Sequence, residues 1–325
     1  MSGLLEVTDI VKRFGPITAV DGISFSVGRG EVLGFLGPNG AGKSTTMKVA
    51  TGFLHADEGA VSICGADMGA DPLTAKARLG YLAEGAPAYG DMTPLTFLKF
   101  IARARRMADA DAAIERAARA VSIRHVMHQP IGTLSKGYKR RVGLAQAILH
   151  DPEVLILDEP TDGLDPNQKH EVRELIHRMA AEKAIVISTH ILEEVQAVCT
   201  RAIIIDRGRI VLDGTPGELI ARSRYHNAVS LKVAKADLER IRRDIEALSH
   251  VSGVEARMVA ADIAHIVAFA QGSDSLLPHI GGLAREAGWQ VHEIYAESGR
   301  MDDVFRAITT GENMPEDPDG KTEER

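Results

Sequence analysis

One segment near the amino terminus limits what this chain can fold into more than any other. A short apolar run from residue 31 to 36 enters a loop with the pattern Gly37-x-x-x-x-Gly42-Lys43-Ser44, and helical spacing follows to residue 52. A buried strand, a glycine-rich loop and a helix in this order aim backbone N–H groups and a helix N-terminus at one point, which suits a phosphate group. The segment therefore predicts an α/β domain with a phosphate-binding loop.

The loop fits the Walker A pattern, in which the lysine reaches the β- and γ-phosphates and the next hydroxyl binds Mg²⁺. Lys43 and Ser44 are the residues predicted for these two tasks. By itself the pattern indicates only a nucleotide-binding loop. The predicted nucleotide contacts in the loop are Gly37, Pro38, Asn39, Gly40, Ala41, Gly42, Lys43, Ser44 and Thr45.

A second apolar run, from residue 154 to 157, ends in two neighbouring acids, Asp158 and Glu159. Side chains alternate along a strand, so the two acids need not share one task. Asp158 is placed to hold Mg²⁺, directly or through water, and Glu159 to polarise the attacking water. A plain acidic loop after a core strand is the other interpretation, and the phosphate-binding loop makes it the weaker one.

With these motifs in this order, residues 4 to about 222 resemble the nucleotide-binding subunits of ABC transporters. The segment Leu134-Ser135-Lys136-Gly137-Tyr138 is similar to the ABC signature. The resemblance implies that Ser135 and Gly137 contact the γ-phosphate of ATP on a partner subunit. A simple helix N-cap is the alternative interpretation of Ser135.

The resemblance implies further site residues. Asp165, in Gly163-Leu164-Asp165, resembles the D-loop residue that contacts the opposite protomer. His190, after the run from 184 to 187, resembles the switch histidine, whose neutral imidazole donates to the γ-phosphate and orients the catalytic water. Phe14 holds the position of the aromatic ring that stacks on adenine, and Val20 would complete that pocket.

Three residues depart from the commonest form of the family. Glu84 replaces the Q-loop glutamine, and we expect it to accept from Mg²⁺-bound water while adding a negative charge. Lys136 and Tyr138 stand where glycine and glutamine are usual, and Phe14 stands where tyrosine is usual. None of these changes removes a group that ATP hydrolysis needs.

Composition narrows the class of protein. The net charge of −7 and the pI of about 6.0 weaken any nucleic-acid interpretation, since phosphate backbones are bound by basic faces. No run approaches the roughly 20 apolar residues that cross a bilayer, and we find no signal peptide. We therefore expect a cytoplasmic protein, and the family resemblance implies that it is peripheral on the inner face of the cell membrane.

Aliphatic runs separated by helical segments predict a mainly parallel core sheet covered on both faces. The predicted fold is an α/β P-loop ABC ATPase cassette over residues 1–222, with an antiparallel β subdomain and a helical subdomain. A β-α-β-β-α-β order then predicts a smaller α+β ferredoxin-like domain over 223–310. The tail, 311–325, is rich in Glu, Asp, Pro and Lys, and we expect it to be disordered.

One chain carries one loop and one signature. Because the resemblance implies that the signature covers the ATP of a different subunit, it also implies a head-to-tail homodimer with two ATP molecules at the interface. The resemblance further implies an ATPase that drives a bacterial exporter of the gliding-motility or multidrug type through separate membrane permease subunits. The resemblance places their docking groove beside Glu84 and the helical region after Thr93, and Ala86-Pro87-Ala88-Tyr89 is expected to line it.

Three alternatives remain open from the sequence. The chain could be a soluble ABC-type ATPase acting on ribosomes or DNA, although it lacks a second cassette, a heptad arm and CxxC pairs. It could instead be a regulatory module that closes on ATP without hydrolysis, against which Glu159 argues. The carboxy-terminal domain could add dimer contacts, regulate, or sense a small molecule. His125 and His128, spaced i, i+3, are interpreted as a helix surface rather than a metal site.

Overall fold

The computed structural model describes residues 3–86, 88–272 and 274–310. It divides into two units, Met1–Pro216 and Gly217–Arg325, so the second unit begins six residues before the predicted start at residue 223. The strands of the first unit are β1 (Leu5–Phe14), β2 (Ile17–Val27), β3 (Val32–Leu36), β4 (Glu58–Ile63), β5 (Ala66–Asp67), β6 (Leu79–Leu82), β7 (Val154–Asp158), β8 (Ala184–Ser188), β9 (Arg201–Asp206) and β10 (Arg209–Gly214).

The helices of the first unit are α1 (Lys43–Ala50), α2 (Pro72–Ala77), α3 (Pro94–Ala104), α4 (Ala110–Ala120), α5 (Lys136–Ile148), α6 (Pro166–Ala180) and α7 (Leu192–Val198), and α8 (Pro216–Ala221) spans the boundary. Within the described ranges, no helix has the length and apolar character needed to cross a membrane.

The aliphatic runs of the sequence form a six-stranded sheet with the order β10-β9-β3-β8-β7-β6. The pairs from β9 to β6 are parallel, and only the edge strand β10 runs antiparallel, as a hairpin with β9. Every residue of β3, β7 and β8 is buried, because helices or a second sheet cover both faces. The predicted mainly parallel core sheet is confirmed.

The antiparallel subdomain is a four-stranded sheet with the order β2-β1-β4-β5. Its inward residues share one hydrophobic core with β3 and α1, and the Phe25 and Phe35 rings meet at 5.5 Å between centroids. This packing holds the β1–β2 hairpin next to the loop that follows β3.

The helical subdomain begins where the sequence predicts it. The Thr93 hydroxyl accepts from the Thr96 N–H, Thr96 returns the bond, and Pro94 opens α3. Apolar side chains of α3, α4 and α5 then join the core that underlies β7. The segment that carries the signature therefore starts a helix, α5, rooted in the main core.

The second unit contains β11 (His226–Ala234), α9 (Leu238–Glu246), β12 (Val251–Met258), β13 (Ile263–Ala270), α10 (Leu277–Glu286), β14 (Val291–Ser298) and α11 (Met301–Thr310). Its antiparallel sheet has the order β12-β13-β11-β14, which is the strand order of a ferredoxin-like fold. Ile241, Ile245 and Ile280 of the two helices pack against one face of the sheet. The predicted tail, 311–325, lies outside the described residues.

Candidate nucleotide site

The loop after β3 depends on glycine at two positions. Gly42 has φ 106°, a left-handed conformation, and a Cβ on it would lie 2.4 Å from the Ala19 carbonyl oxygen. A Cβ on Gly37 would lie 2.5 Å from the Ile205 carbonyl oxygen. The β1–β2 hairpin and β9 therefore press directly on the loop, and any side chain at these glycines would displace it.

Lys43 lies at the start of α1, with its ammonium folded back into the loop. Its Nζ donates to the Gly37 carbonyl at 2.5 Å and to the Pro38 carbonyl at 3.1 Å. Burial lowers the pKa of Lys43, while the carboxylates of Glu159, Asp158 and Glu84 act in the opposite direction. The Lys43 ammonium is thus a partly buried positive charge in a site whose nearby carboxylates are those of Glu159, Asp158 and Glu84.

A cavity of about 180 Å³ lies over the loop, at the N-terminal end of α1. Its walls bring together three of the predicted groups from distant parts of the chain: the phosphate-binding loop, Glu84 and Glu159. The lining residues are Ala19, Asn39, Gly40, Gly42, Lys43, Ser44, Thr45, Glu84 and Glu159. Ala19 is a lining residue that the sequence analysis did not identify.

Asp158 ends β7 and is almost completely buried, at 1% exposure. The Ser188 hydroxyl, at the end of β8, donates to Asp158 Oδ1, whereas Oδ2 is buried without a hydrogen-bond partner among the residues that the structure describes. Burial raises the pKa of Asp158. A buried carboxylate oxygen with no donor is what a cation or its bound water would satisfy, so Asp158 fits the predicted metal role.

Glu159 and His190 follow neighbouring parallel strands and meet beyond their ends. Glu159 Oε1 lies 2.9 Å from His190 Nδ1, and the Glu159 N–H donates to the Ser188 carbonyl at 3.0 Å. Burial raises the pKa of Glu159, partly offset by the hydrogen bond from His190. A neutral imidazole that donates from Nδ1 carries an acceptor at Nε2, so the predicted donation to a γ-phosphate requires a protonated ring or release of this pair.

Glu84 lies two residues beyond β6, on the exposed rim of the cavity. Its segment is tied to β7 by Arg140, a buried arginine of α5 that the sequence analysis did not single out. Arg140 Nη1 donates to the Ala83 carbonyl at 3.1 Å, and Nη2 donates to the carbonyls of Asp158, at 2.7 Å, and of Glu159. In the sequence this arginine sits in a Lys-Arg-Arg run, which indicates a solvated helix face and hides its role.

The signature segment has the helix-start geometry that either interpretation requires. Ser135 is the N-cap of α5, and its hydroxyl accepts from the Tyr138 N–H at 3.3 Å. Gly137 is buried so closely that a Cβ would lie 2.4 Å from Gln168 Oε1. Among the residues that the structure describes, none of Leu134, Ser135, Lys136, Gly137 and Tyr138 lines the cavity of the same chain.

Tyr138, the departure from the usual glutamine, is held by side chains. Its hydroxyl lies 3.0 Å from His125 Nε2, and the Arg141 guanidinium lies 5.8 Å from its ring centroid. His125 lies on a 3₁₀ turn (Arg124–Val126), so it is a partner of Tyr138 rather than one face of a helix. Within the described ranges, no group of three or more His, Cys, Asp or Glu side chains is arranged to hold a metal.

Asp165 and the two adenine residues occupy different settings. Asp165 is the N-cap of α6 and accepts from the Gln168 N–H at 2.9 Å.

Phe14 ends β1 with 48% of its surface exposed, so its ring is free to stack on a base. Val20 is completely buried in the core shared by β1 and β2, so the structure gives its side chain no surface for adenine. The physical reason is strand alternation, which turns Val20 inward and Ala19 toward the cavity.

A family model, related sequences and solved structures all match this chain to ABC transporter ATP-binding proteins. The model of the ABC transporter family matches residues 20–162. The Nod factor export ATP-binding protein I of Burkholderia lata is 37% identical over 225 residues, which is 66% of this chain and 72% of that protein. The linearmycin resistance ATP-binding protein LnrL of Bacillus subtilis is 34% identical over 255 residues, which is 77% of this chain and 81% of that protein. A solved structure of the ATP binding subunit of an ABC transporter superposes with a TM-score of 0.62 at 32% identity, covering 66% of this chain and 91% of that chain.

Proposed function

Because the chain belongs to the ABC transporter ATP-binding family and is an ATPase of that family, we propose that it powers an exporter whose membrane path lies on separate permease subunits. The observation that carries the catalytic part is the pair Glu159–His190, 2.9 Å apart at the ends of adjacent strands and beside the phosphate-binding loop. A carboxylate of raised pKa next to an imidazole is a suitable arrangement for activating water.

The phosphate-binding loop would bind the phosphates of MgATP, and Ser44 with the acids would bind its metal ion. Backbone N–H groups from Gly37 to Ser44 and the positive end of α1 hold the phosphates, and Lys43 exchanges its carbonyl partners for phosphate oxygens. Ser44, Asp158 and Glu84 would hold Mg²⁺, which neutralises charge on the phosphates when bound. Asp158 is suited to this because its Oδ2 has no hydrogen-bond partner in the described part of the chain.

Hydrolysis then depends on positioned side chains. Glu159 accepts a hydrogen bond from the water that attacks the γ-phosphorus, and His190 fixes the direction of the Glu159 carboxylate. As the water oxygen bonds to phosphorus, the bond from phosphorus to the β–γ bridging oxygen breaks, and Lys43 stabilises the charge that develops there. The water's proton passes toward Glu159.

We propose that the second half of the site comes from another copy of the chain. Ser135 and Gly137 stand at the N-terminus of α5, where a hydroxyl and backbone N–H groups suit a γ-phosphate, yet they do not line the cavity of their own chain. Asp165, capping α6, would contact the opposite protomer. Phe14 would stack on adenine. Val20 is buried in the core beneath the pocket and would not contact the base.

The exporter role is supported by the names of two relatives, which refer to Nod factor export and linearmycin resistance. It is also supported by a groove of about 510 Å³ that reaches from Phe53 past Leu82 and Ala83 to Arg105. Phe53 is 72% exposed, and Ala83 precedes Glu84, so an apolar permease segment seated here would contact the residue next to the metal site. Of the predicted segment 86–89, Pro87 lies outside the described residues. This arrangement would place the protein at the inner face of the cell membrane.

ATP turnover by purified wild type, Glu159→Gln and Glu182→Gln tests the catalytic assignment. Removal of a general base lowers kcat by about 10²- to 10⁴-fold. The kcat of Glu159→Gln should therefore be at least about 10²-fold below that of wild type. Glu182→Gln, an exposed acid elsewhere in the unit, should match wild type. Equal rates for all three proteins would sink the proposal. With MgATP, Glu159→Gln should also shift from monomer to dimer by light scattering, and Ser135→Arg should block that shift.

Cell fractionation tests the transport assignment. Wild type should sediment with salt-washed membranes, and Phe53→Asp should move to the supernatant while keeping its ATPase rate. Sedimentation with ribosomes instead of membranes would contradict the exporter proposal and favour the soluble alternative.

A further inference from the structure

Glu194, on α7, is a buried acid with no part in the proposed reaction. It is 4% exposed, and both of its carboxylate oxygens are engaged. Oε1 accepts from the Thr161 hydroxyl, and Oε2 accepts from the Thr189 hydroxyl at 3.0 Å. The Lys169 ammonium lies 3.9 Å from Oε1 and is the nearest opposite charge.

The two hydroxyls lie next to the two proposed catalytic residues. Thr161 is two residues after Glu159, and Thr189 immediately precedes His190. Both threonines are buried, at 3% and 0% exposure, so their positions are fixed by packing. With the 2.9 Å contact between Glu159 and His190, the five side chains and the short backbone links between them form a closed ring around the ends of β7 and β8.

The hydrogen bonds in this ring have a defined direction. The Thr189 hydroxyl accepts from the Ile191 N–H at 3.0 Å, so its own hydrogen is available for Glu194. Thr161 likewise donates to the carboxylate. Glu194 is thus an acceptor on both sides, and it connects two separate chain segments at one point.

Helix stabilisation does not account for this placement. An acid in the first turn favours the helix dipole, but the adjacent Glu193 supplies that charge with 78% of its side chain exposed. Burying a second carboxylate costs several kcal/mol unless specific partners compensate. Glu194 has such partners, and they belong to the two segments that carry the chemistry.

We propose that Glu194 is a positioning residue that sets the separation and orientation of Glu159 and His190 through Thr161 and Thr189. It does not line the described cavity over the phosphate-binding loop, and it acts only through the two catalytic segments. The inference rests on the proposed roles of Glu159 and His190. It predicts that loss of the carboxylate impairs the chemical step while leaving ATP binding intact.

The test begins with kinetics of three variants. Glu194→Ala should lower kcat about 10- to 100-fold, the scale of a misplacement near 1 Å, with KM and the Kd for a fluorescent ATP analogue within about twofold of wild type. Glu194→Gln, which can accept from one hydroxyl and donate to the other, should recover most of the loss. Glu193→Gln is the matched control and should not differ from wild type.

A double-mutant cycle separates positioning from general destabilisation. If Glu194 acts through His190, then Glu194→Ala should lower kcat far less in a His190→Ala background than in wild type. Equal losses in both backgrounds, or a loss seen in KM and Kd rather than kcat, would overturn the proposal. Should Glu194→Ala fail to fold, Thr189→Val and Thr161→Val each remove one hydroxyl at constant shape, and the same cycle applies. An active Glu159→Gln would refute the proposed function itself, whereas an inactive Glu159→Gln with unimpaired Glu194→Ala would refute only this inference.

Discussion

Replacing Arg140 by glutamine should damage both stability and catalysis. The arginine is 5% exposed, and its guanidinium binds the carbonyls of Ala83, Asp158 and Glu159. These carbonyls belong to the segments that carry Glu84 and the two acids after β7. The Arg140 side chain therefore connects the segment that carries Glu84, at the rim of the cavity, to the segment that carries Asp158 and Glu159.

The magnitude follows from these contacts. Hydrogen bonds from a charged donor contribute about 1.5–3 kcal/mol each, so three of them amount to about 5–9 kcal/mol. Burial of the guanidinium, which lowers the pKa of Arg140, costs several kcal/mol that the variant recovers. We expect a net loss of about 3 kcal/mol in the free energy of unfolding, and hence a Tm lower by about 6–12 °C for a unit of this size.

Differential scanning calorimetry and steady-state ATP turnover measure the two effects. Arg140→Gln should lower Tm as stated and lower kcat about 100-fold, because small displacements of catalytic groups have effects of that size. Arg140→Lys, which keeps the charge but not the forked geometry, should be intermediate. Lys139→Gln, the preceding residue of α5, is the control. A Tm within about 2 °C of wild type together with an unchanged kcat for Arg140→Gln would refute the reasoning.

Three further changes have defined outcomes. Burial raises the pKa of Glu159 in the folded protein above its ordinary value of 4.5, so the ionised side chain lowers the stability of the fold as pH rises through the folded pKa. Glu159→Gln should therefore raise Tm at pH 8. This increase in Tm should vanish at pH 4, where the Glu159 carboxyl is protonated in the folded and the unfolded chain alike. No pH dependence of the difference would contradict this assignment. Gly42→Ala should abolish binding of a fluorescent ATP analogue, because its Cβ would lie 2.4 Å from the Ala19 carbonyl oxygen, and retained affinity would show that the hairpin gives way. Tyr138→Phe removes one hydrogen bond to His125 and should lower unfolding free energy by only about 1 kcal/mol in urea titration, with a larger loss pointing to a wider network.

Local chain chemistry was sufficient to predict the centre of the site. The strand, the glycine loop and the helix start are contiguous, and the strand ends after residues 157 and 187 are visible as aliphatic runs that stop at polar residues. His190 was identified from the family resemblance, whereas its approach to Glu159 is a finding of the structure, in which the carboxyl ends of parallel strands share one sheet edge. The β-α-β-β-α-β order of elements in the second unit was predicted from alternation and helical spacing, whereas the order of its strands in the sheet comes from the structure.

Residues that act from within the core could not be predicted in this way. Arg140, Ser188 and Glu194 are polar, and a single sequence gives no sign that they are buried among backbone carbonyls, carboxylates and hydroxyls. Val20 shows the converse, since its register in β2 turns it inward and leaves Ala19 at the cavity. These features are decided by contacts between residues far apart in the chain.

The order β3-β8-β7-β6 places the site's groups along a line from the middle of the sheet to its margin. The phosphate-binding loop follows β3, which has neighbours on both sides, whereas Glu84 follows β6, which within the described ranges pairs with β7 alone. The proposed nucleotide-binding loop therefore follows an interior strand of the sheet, and the acid at the rim of the cavity follows an edge strand. Under the proposed function, a permease segment that contacts the margin of the sheet would therefore act first on Glu84, two strands away from β8 and three from the strand that carries the phosphate-binding loop.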